Sequence, residues 1–325
     1  MTILVPEEYP KKLIDEKGKR LDGRALDEIR PFSCKIGVLK NAHGSAYVEH
    51  GKNKIYAGVY GPREVHPRHL ARPDRGILRV HYRMATYSVH ERKSPAPNRR
   101  EREISMIIEN ALAPTLFLEL YPNSAIEVFI EIVAADGGTR CASTTAASLA
   151  LADAGLPMKS LVAGVAAGKA DGKIILDCGD LEDKAGSADV PAAVRMIDEE
   201  FTLLQFDGEM TPEELEQSIK LIKKGAREIF AIQTAAIKEK FDKIRQETIA
   251  ENAVVEKAKA EEAPKKEPEP VKKDEPVKAE ESKKPEVKKE EPVKAEETKK
   301  PEVKKEVEKK PAETVKVEEK TEEKK

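Results

Sequence analysis

Residues 135–140 read Ala-Asp-Gly-Gly-Thr-Arg, which sets two glycines, a hydroxyl and a guanidinium side by side. Gly137 and Gly138 let an anion approach the main chain closely, because no Cβ stands in the way. Thr139 adds a hydroxyl donor, and Arg140 a planar fork whose geometry matches phosphate. A Gly-Gly pair that ends a strand is by itself only a turn, so the reading gains its weight from two other clusters. One is the segment 179–189, read as an acidic loop, in which Glu182, Asp183 and Asp189 stand close together. Paired carboxylates can hold a divalent metal, or one of them can act as a general acid on a leaving oxygen. The other is a stretch in which ten arginines fall between Arg63 and Arg102 and all six histidines between His43 and His90, a surface suited to an anion. A phosphate cradle, an acidic segment and an arginine-rich region together point to phosphoryl chemistry on a polyanion, RNA or DNA. Gly-Val-Ala-Ala-Gly-Lys at 164–169 is one residue short of the phosphate-loop spacing and is set aside.

These groups need elements to position them. Ile126, Val128, Ile130 and Ile132 alternate with Glu127 and Glu131, which predicts a half-buried strand running straight into the glycine turn. The small-residue run 141–155 predicts a helix ended by Gly155. A strand, a glycine turn and a helix start aim free N–H groups and the positive end of the helix dipole at one point. Pro95 and Pro97 forbid helix until Asn98, which with Glu101 makes a capping box and places Arg99 and Arg100 in the first turn of the next helix. Pro114 ends or kinks that helix. Residues 33–60 read as a β-meander, 77–85 as a strand, and 162–178 as a hairpin turning at Asp171-Gly172. Further strands run through Phe206, and Thr211, Pro212 and Glu214 start a last helix that passes Phe241 and can extend through the 247–263 segment. The order of elements predicts an α+β fold rather than a regular doubly wound one.

The composition is uneven along the 325 residues. Phe241 is the last aromatic residue, and beyond position 250 the chain carries 22 lysines against 23 acidic residues. Such a segment buries too little apolar surface to offset the entropy of ordering. The expected division is therefore a folded domain at 1–245 and a disordered Lys/Glu/Pro tail at 246–325, within which a sixteen-residue repeat at 275–290 recurs at 291–306. Cys34, Cys141 and Cys178 are widely spaced and form no Cys-x-x-Cys pair, which argues against a disulfide framework or zinc site and for a reducing cytoplasm. No apolar run reaches membrane-spanning length, and the first residues lack the pattern of a signal peptide.

Several spaced motifs then carry a resemblance: Arg-Leu-Asp-Gly-Arg at 20–24 with Arg30-Pro31, and the stretches 43–51, 60–69, 95–101, 135–140, 149–158, 163–172 and 182–189. Over about residues 15–240 the chain resembles the ribonuclease PH family, and within it the branch that forms the catalytic part of archaeal exosome rings. The resemblance implies a fold of the ribosomal protein S5 domain 2-like type. It implies 3′-to-5′ degradation of RNA by inorganic phosphate, with release of nucleoside 5′-diphosphates, a reverse tailing reaction, and Mg²⁺ as cofactor. By position, Gly138, Thr139, Arg140 and Arg100 would hold the phosphate, and Asp189 would assist the leaving 3′-oxygen. Asp183 would be the second acid, a metal ligand together with Asp189, and Arg99, Arg63, Arg68 and His66 would contact RNA. The implied partners are a non-catalytic paralogue in a trimer of heterodimers and cap proteins with S1 or KH domains. A stand-alone ring that trims tRNA ends and a non-catalytic RNA-binding ring subunit are the competing readings.

Overall fold

A computed structural model describes residues 12–15, 18–90 and 92–262 of the chain. The predicted meander is present as β1 (Phe32–Ile36), β2 (Gly44–His50) and β3 (Asn53–Glu64), each antiparallel to the next. β4 (Ile77–Met84) lies parallel to β5 (Ser124–Ala134), and helix α1 (Arg99–Leu112) makes the crossover that a parallel pair requires. The first sheet thus has the order β1-β2-β3-β5-β4. Its inner face buries Ile55, Ala57 and Val59 of β3 and Ile126, Val128, Ile130 and Ile132 of β5, the period-2 pattern read from the sequence. α1 ends at Leu112, and Pro114 falls in the first of the two 3₁₀ turns that follow.

α2 (Thr139–Asp153) is the central helix of the described domain. Every residue from Cys141 to Leu151 is buried, because alanine, serine and threonine are small enough for both sheets to close on the helix. It packs on β2 and β3 of the first sheet and on strands of a second sheet. That sheet comprises β6 (Val162–Ala170), β7 (Lys173–Leu176), β8 (Ala188–Arg195), β9 (Glu200–Leu204) and the short β10 (Asp207–Gly208), with α3 (Asp180–Ala185) between β7 and β8. β6 and β8 pair side by side, and β10 pairs with the start of β8. The second core lies between this sheet and α4 (Pro212–Glu262), where Ile222, Ala226 and Ile229 are fully buried.

One reading of the sequence changes. The segment 179–189 is not a loop: 180–185 form α3, and Asp189 is the second residue of β8. Glu182 closes the start of α3 by accepting the Gly179 N–H at 2.8 Å, and the flanking glycines limit it to six residues, too short for periodicity to reveal. α4 runs to Glu262, the extension read from the sequence, where an alanine-, lysine- and glutamate-rich stretch favours helix until Pro264. The rest of the 246–325 segment expected to be disordered, residues 263–325 with the repeat, lies outside the described residues. No described helix is long and apolar enough to cross a membrane.

Candidate active site

β5 delivers the chain to the glycine turn. Gly137 has φ +71° and Gly138 φ +64°, left-handed values that residues with a Cβ rarely adopt. A Cβ on Gly137 would stand 2.6 Å from the Asp180 amide nitrogen, so the turn lies directly against the start of α3. Gly138 is the N-cap of α2, and no side chain caps this end. The first N–H groups of α2 are thus left for another acceptor. Thr139 accepts a hydrogen bond from the buried Tyr82 hydroxyl at 2.9 Å, which leaves its own proton free to donate.

α1 begins beside it. Its capping box is formed as expected, with Glu101 N–H donating to Asn98 Oδ1 at 2.8 Å and Asn98 N–H to Glu101 Oε2 at 3.0 Å. That fixes Arg99 and Arg100 in the first turn. Together with Arg140, Glu103, Ile104 and Ile107 they line an open cavity of about 380 Å³. Three guanidinium groups, supplied by the first turns of two helices, make this a concentrated anion site. Arg140 Nη1 also donates to Gln205 Oε1, which holds the fork in place.

Asp189, within reach of the Arg140 charge, is paired in register with Gly168 of β6 and Asp207 of β10. Its Oδ1 is buried and has no hydrogen-bond partner. Burial, and next the carboxylate of Asp183, push its carboxyl up to about 7, while Arg140 pulls in the opposite direction. A carboxyl so placed holds its proton up to neutral pH, as a general acid must. Among the described residues no group of three or more His, Cys, Asp or Glu could hold a metal. Asp183 and Asp189 fit a Mg²⁺ that takes one or two protein carboxylates and completes its shell with water and substrate phosphate, and the orphaned Asp189 Oδ1 is a lone acceptor of the right kind. Glu182, grouped with these acids in the sequence, does not join them. It is buried against Arg20, which donates to both of its oxygens.

A scaffold of buried charge, given no role in the sequence, surrounds this site. Asp177 has φ +58° and is 1% exposed. Its carboxylate accepts from Arg30 N–H at 2.6 Å and Arg30 Nη2 at 2.7 Å, and pairs with His50 Nε2 at 2.9 Å. Burial alone would raise this carboxyl, but His50 and Arg30 beside it hold it well below the usual carboxylate range. Arg20 Nη2 and Arg24 Nη2 donate to the Asp177 carbonyl at 2.8 and 3.3 Å. The arginines of the 20–24 and 30–31 motifs therefore tie α3 and the glycine turn to one hub. The motifs themselves were the signal, since arginines outside any periodic pattern and beside Gly or Pro have no local structural use.

The structure does not bring Arg63, His66 and Arg68 to the cavity. Arg63 pairs opposite Ala125 at the start of β5, about 30 Å along the strand from the end that enters the glycine turn. Its guanidinium lies 5.4 Å from the Tyr60 ring centre, Arg68 is ion-paired with Glu64 at 2.9 Å, and the His66 carbonyl accepts from Arg79 at 2.8 Å.

Comparison with known proteins identifies the family to which the chain is similar. Residues 28–157 match the model of the 3′ exoribonuclease family, domain 1, and residues 160–225 that of domain 2. The chain is 59% identical over 236 residues to the exosome complex component Rrp41 of Pyrococcus furiosus, covering 73% of this chain and 94% of the relative. It is 54% identical over 235 residues to the Rrp41 of Methanopyrus kandleri, covering 72% and 98%. Among solved structures, rice Rrp46 superposes with a TM-score of 0.59 at 25% identity, over 66% of this chain and 98% of that one.

Proposed function

The chain belongs to the 3′ exoribonuclease family of ribonuclease PH, and we propose that its arginine cavity and its Asp183–Asp189 pair are the two sides of one phosphorolytic active site. It is an exosome subunit of the catalytic kind, a phosphorolytic 3′-to-5′ exoribonuclease. The observation that carries the site assignment is Arg140, which lines the anion cavity and also lowers the pKa of Asp189 by its charge. One guanidinium therefore faces both the attacking phosphate and the group that serves the leaving oxygen.

In this reading inorganic phosphate is a substrate, held by Arg100, Arg140, the Thr139 hydroxyl and the free N–H groups at the start of α2. An oxygen of that phosphate attacks the phosphorus of the last phosphodiester, and the bond from phosphorus to the 3′-oxygen of the preceding nucleotide breaks. The departing 3′-oxygen takes its proton from Asp189, whose carboxyl burial and Asp183 keep protonated near neutrality. The products are a nucleoside 5′-diphosphate and an RNA one nucleotide shorter. The same contacts run backwards add nucleotides. Asp183, joined by Asp189 only once that carboxyl has given up its proton, would hold Mg²⁺, which when bound neutralises charge on the phosphate oxygens.

RNA and a ring built with a ribonuclease PH-like partner are the context of this activity. The finer arrangement, three heterodimers with a non-catalytic paralogue under S1- or KH-domain caps, follows the family pattern, and three free cysteines fit a reducing cytoplasm. Arg99, exposed at the cavity rim, would contact an RNA phosphate. Arg63, His66 and Arg68 would meet a different stretch of the same strand, given the length of β5 between them and the cavity. Arg99→Ala is expected to weaken RNA binding and to flatten its salt dependence by about one phosphate contact. Affinity measured between low and moderate salt checks this, and an unchanged slope would remove Arg99 from the RNA path.

A further inference from the structure

We infer that Asn53 is a positioning residue for the attacking phosphate: its side-chain amide presets the backbone turn on which the phosphate sits, without touching the phosphate. The inference rests on the reading of residues 137–140 as the phosphate cradle.

Asn53 is the first residue of β3 and is fully buried. Its Oδ1 accepts the Asp136 N–H at 2.6 Å, and its Nδ2 donates to the Gly137 carbonyl at 2.7 Å. The chemistry allows one orientation of the amide, since the backbone N–H needs an acceptor and the carbonyl a donor. Arg30 Nη1 adds a third bond, to the Asp136 carbonyl at 2.6 Å. The N–H and C=O of Asp136 and the C=O of Gly137 are therefore all held by Asn53 and Arg30. What remains unheld is the run of N–H groups at the start of α2.

The reason for such a clamp lies in the glycines. Two consecutive glycines at positive φ let the anion come close, but they also leave the free turn many conformations to lose when phosphate binds. Bonds from a rigid, buried amide remove those conformations during folding, so phosphate meets a preformed site. Arg99, assigned to RNA, stands on α1, and Asp189 stands on β8, so neither is carried by the turn itself. The loss of Asn53 should therefore appear in one kinetic constant.

The test is steady-state phosphorolysis by the assembled ring, with phosphate and RNA varied separately, for the wild type, Asn53→Ala and Asn53→Ser. Asn53→Ala is expected to raise KM for phosphate about tenfold, the size of two lost hydrogen bonds. KM for RNA and kcat at saturating phosphate should stay within twofold. Asn53→Ser, whose hydroxyl can satisfy one of the two backbone groups, should fall between, and it decides the question if the alanine variant fails to assemble. An unchanged KM for phosphate in a folded variant overturns the clamp, as does a loss confined to kcat or to KM for RNA, which is what a general structural role would give. Wild-type turnover that does not saturate with phosphate would instead overturn the cradle and the clamp with it.

Discussion

Asp189→Asn is expected to lower kcat for phosphorolysis about a thousandfold while leaving RNA affinity within twofold of wild type. The amide keeps the size of the carboxyl but cannot give a proton to the departing 3′-oxygen. RNA affinity survives because the groups assigned to RNA are arginines on α1 and at the far end of the first sheet. The same substitution carries a sign that can be read without substrate. The folded-state carboxyl lies at about 7, above its ordinary value of 3.8. The folded protein therefore binds this proton more tightly than the unfolded chain. That stabilisation is full below pH 4, falls away as pH rises to about 7, and is absent above it. The asparagine variant has no such dependence. In chelator and without phosphate, its stability relative to wild type should grow between pH 4 and 7 and then level, with a ceiling of about 4 kcal/mol for a shift of about three units. Melting curves across that range check it. A constant gap would mean that Asp189 is ionised throughout, and a variant with near-normal turnover would remove it from the chemistry.

Arg140→Ala is expected to reduce kcat/KM for phosphate by about a hundredfold to a thousandfold, the usual loss when one donor to a developing oxyanion is removed. Arg140→Lys should recover little. An ammonium keeps the charge but not the fork that serves Gln205 and phosphate together. Phosphate should raise the melting temperature of the wild type and not of Arg140→Ala. Loss of Arg140 also removes the charge that lowers the Asp189 carboxyl, so that group should move further up. An Arg140→Ala enzyme still stabilised by phosphate would place the anion elsewhere in the cavity.

Local rules made much of this site legible. The boxes Asn98–Glu101 and Thr211–Glu214 start their helices where the sequence puts them, since capping depends on residues three apart. The hairpin at Asp171-Gly172 and the strand-turn-helix at 124–153 follow from equally local patterns. What escaped is long-range or short. Arg20 and Arg30 reach Glu182 and Asp177 across about one hundred and fifty residues, and Asn53 holds a turn more than eighty residues away. No spacing rule reports contacts made by tertiary folding. α3 escaped because six residues between two glycines are too few to show a helical period. The arginine-rich stretch 63–102 was read as one surface, yet Arg99 and Arg100 line the cavity beside Arg140 while Arg63 pairs with Ala125 at the far end of β5.

The most direct test of phosphorolysis at this site is product analysis. The chain, with and without a co-expressed ribonuclease PH-like paralogue, is incubated on RNA with an unstructured 3′ end, with and without inorganic phosphate, and the released nucleotides are identified. Nucleoside 5′-diphosphates that appear only when phosphate is present are the predicted result, and the paired mixtures show whether the chain needs its partner. Nucleoside monophosphates released without phosphate, or no product in any mixture, would contradict it.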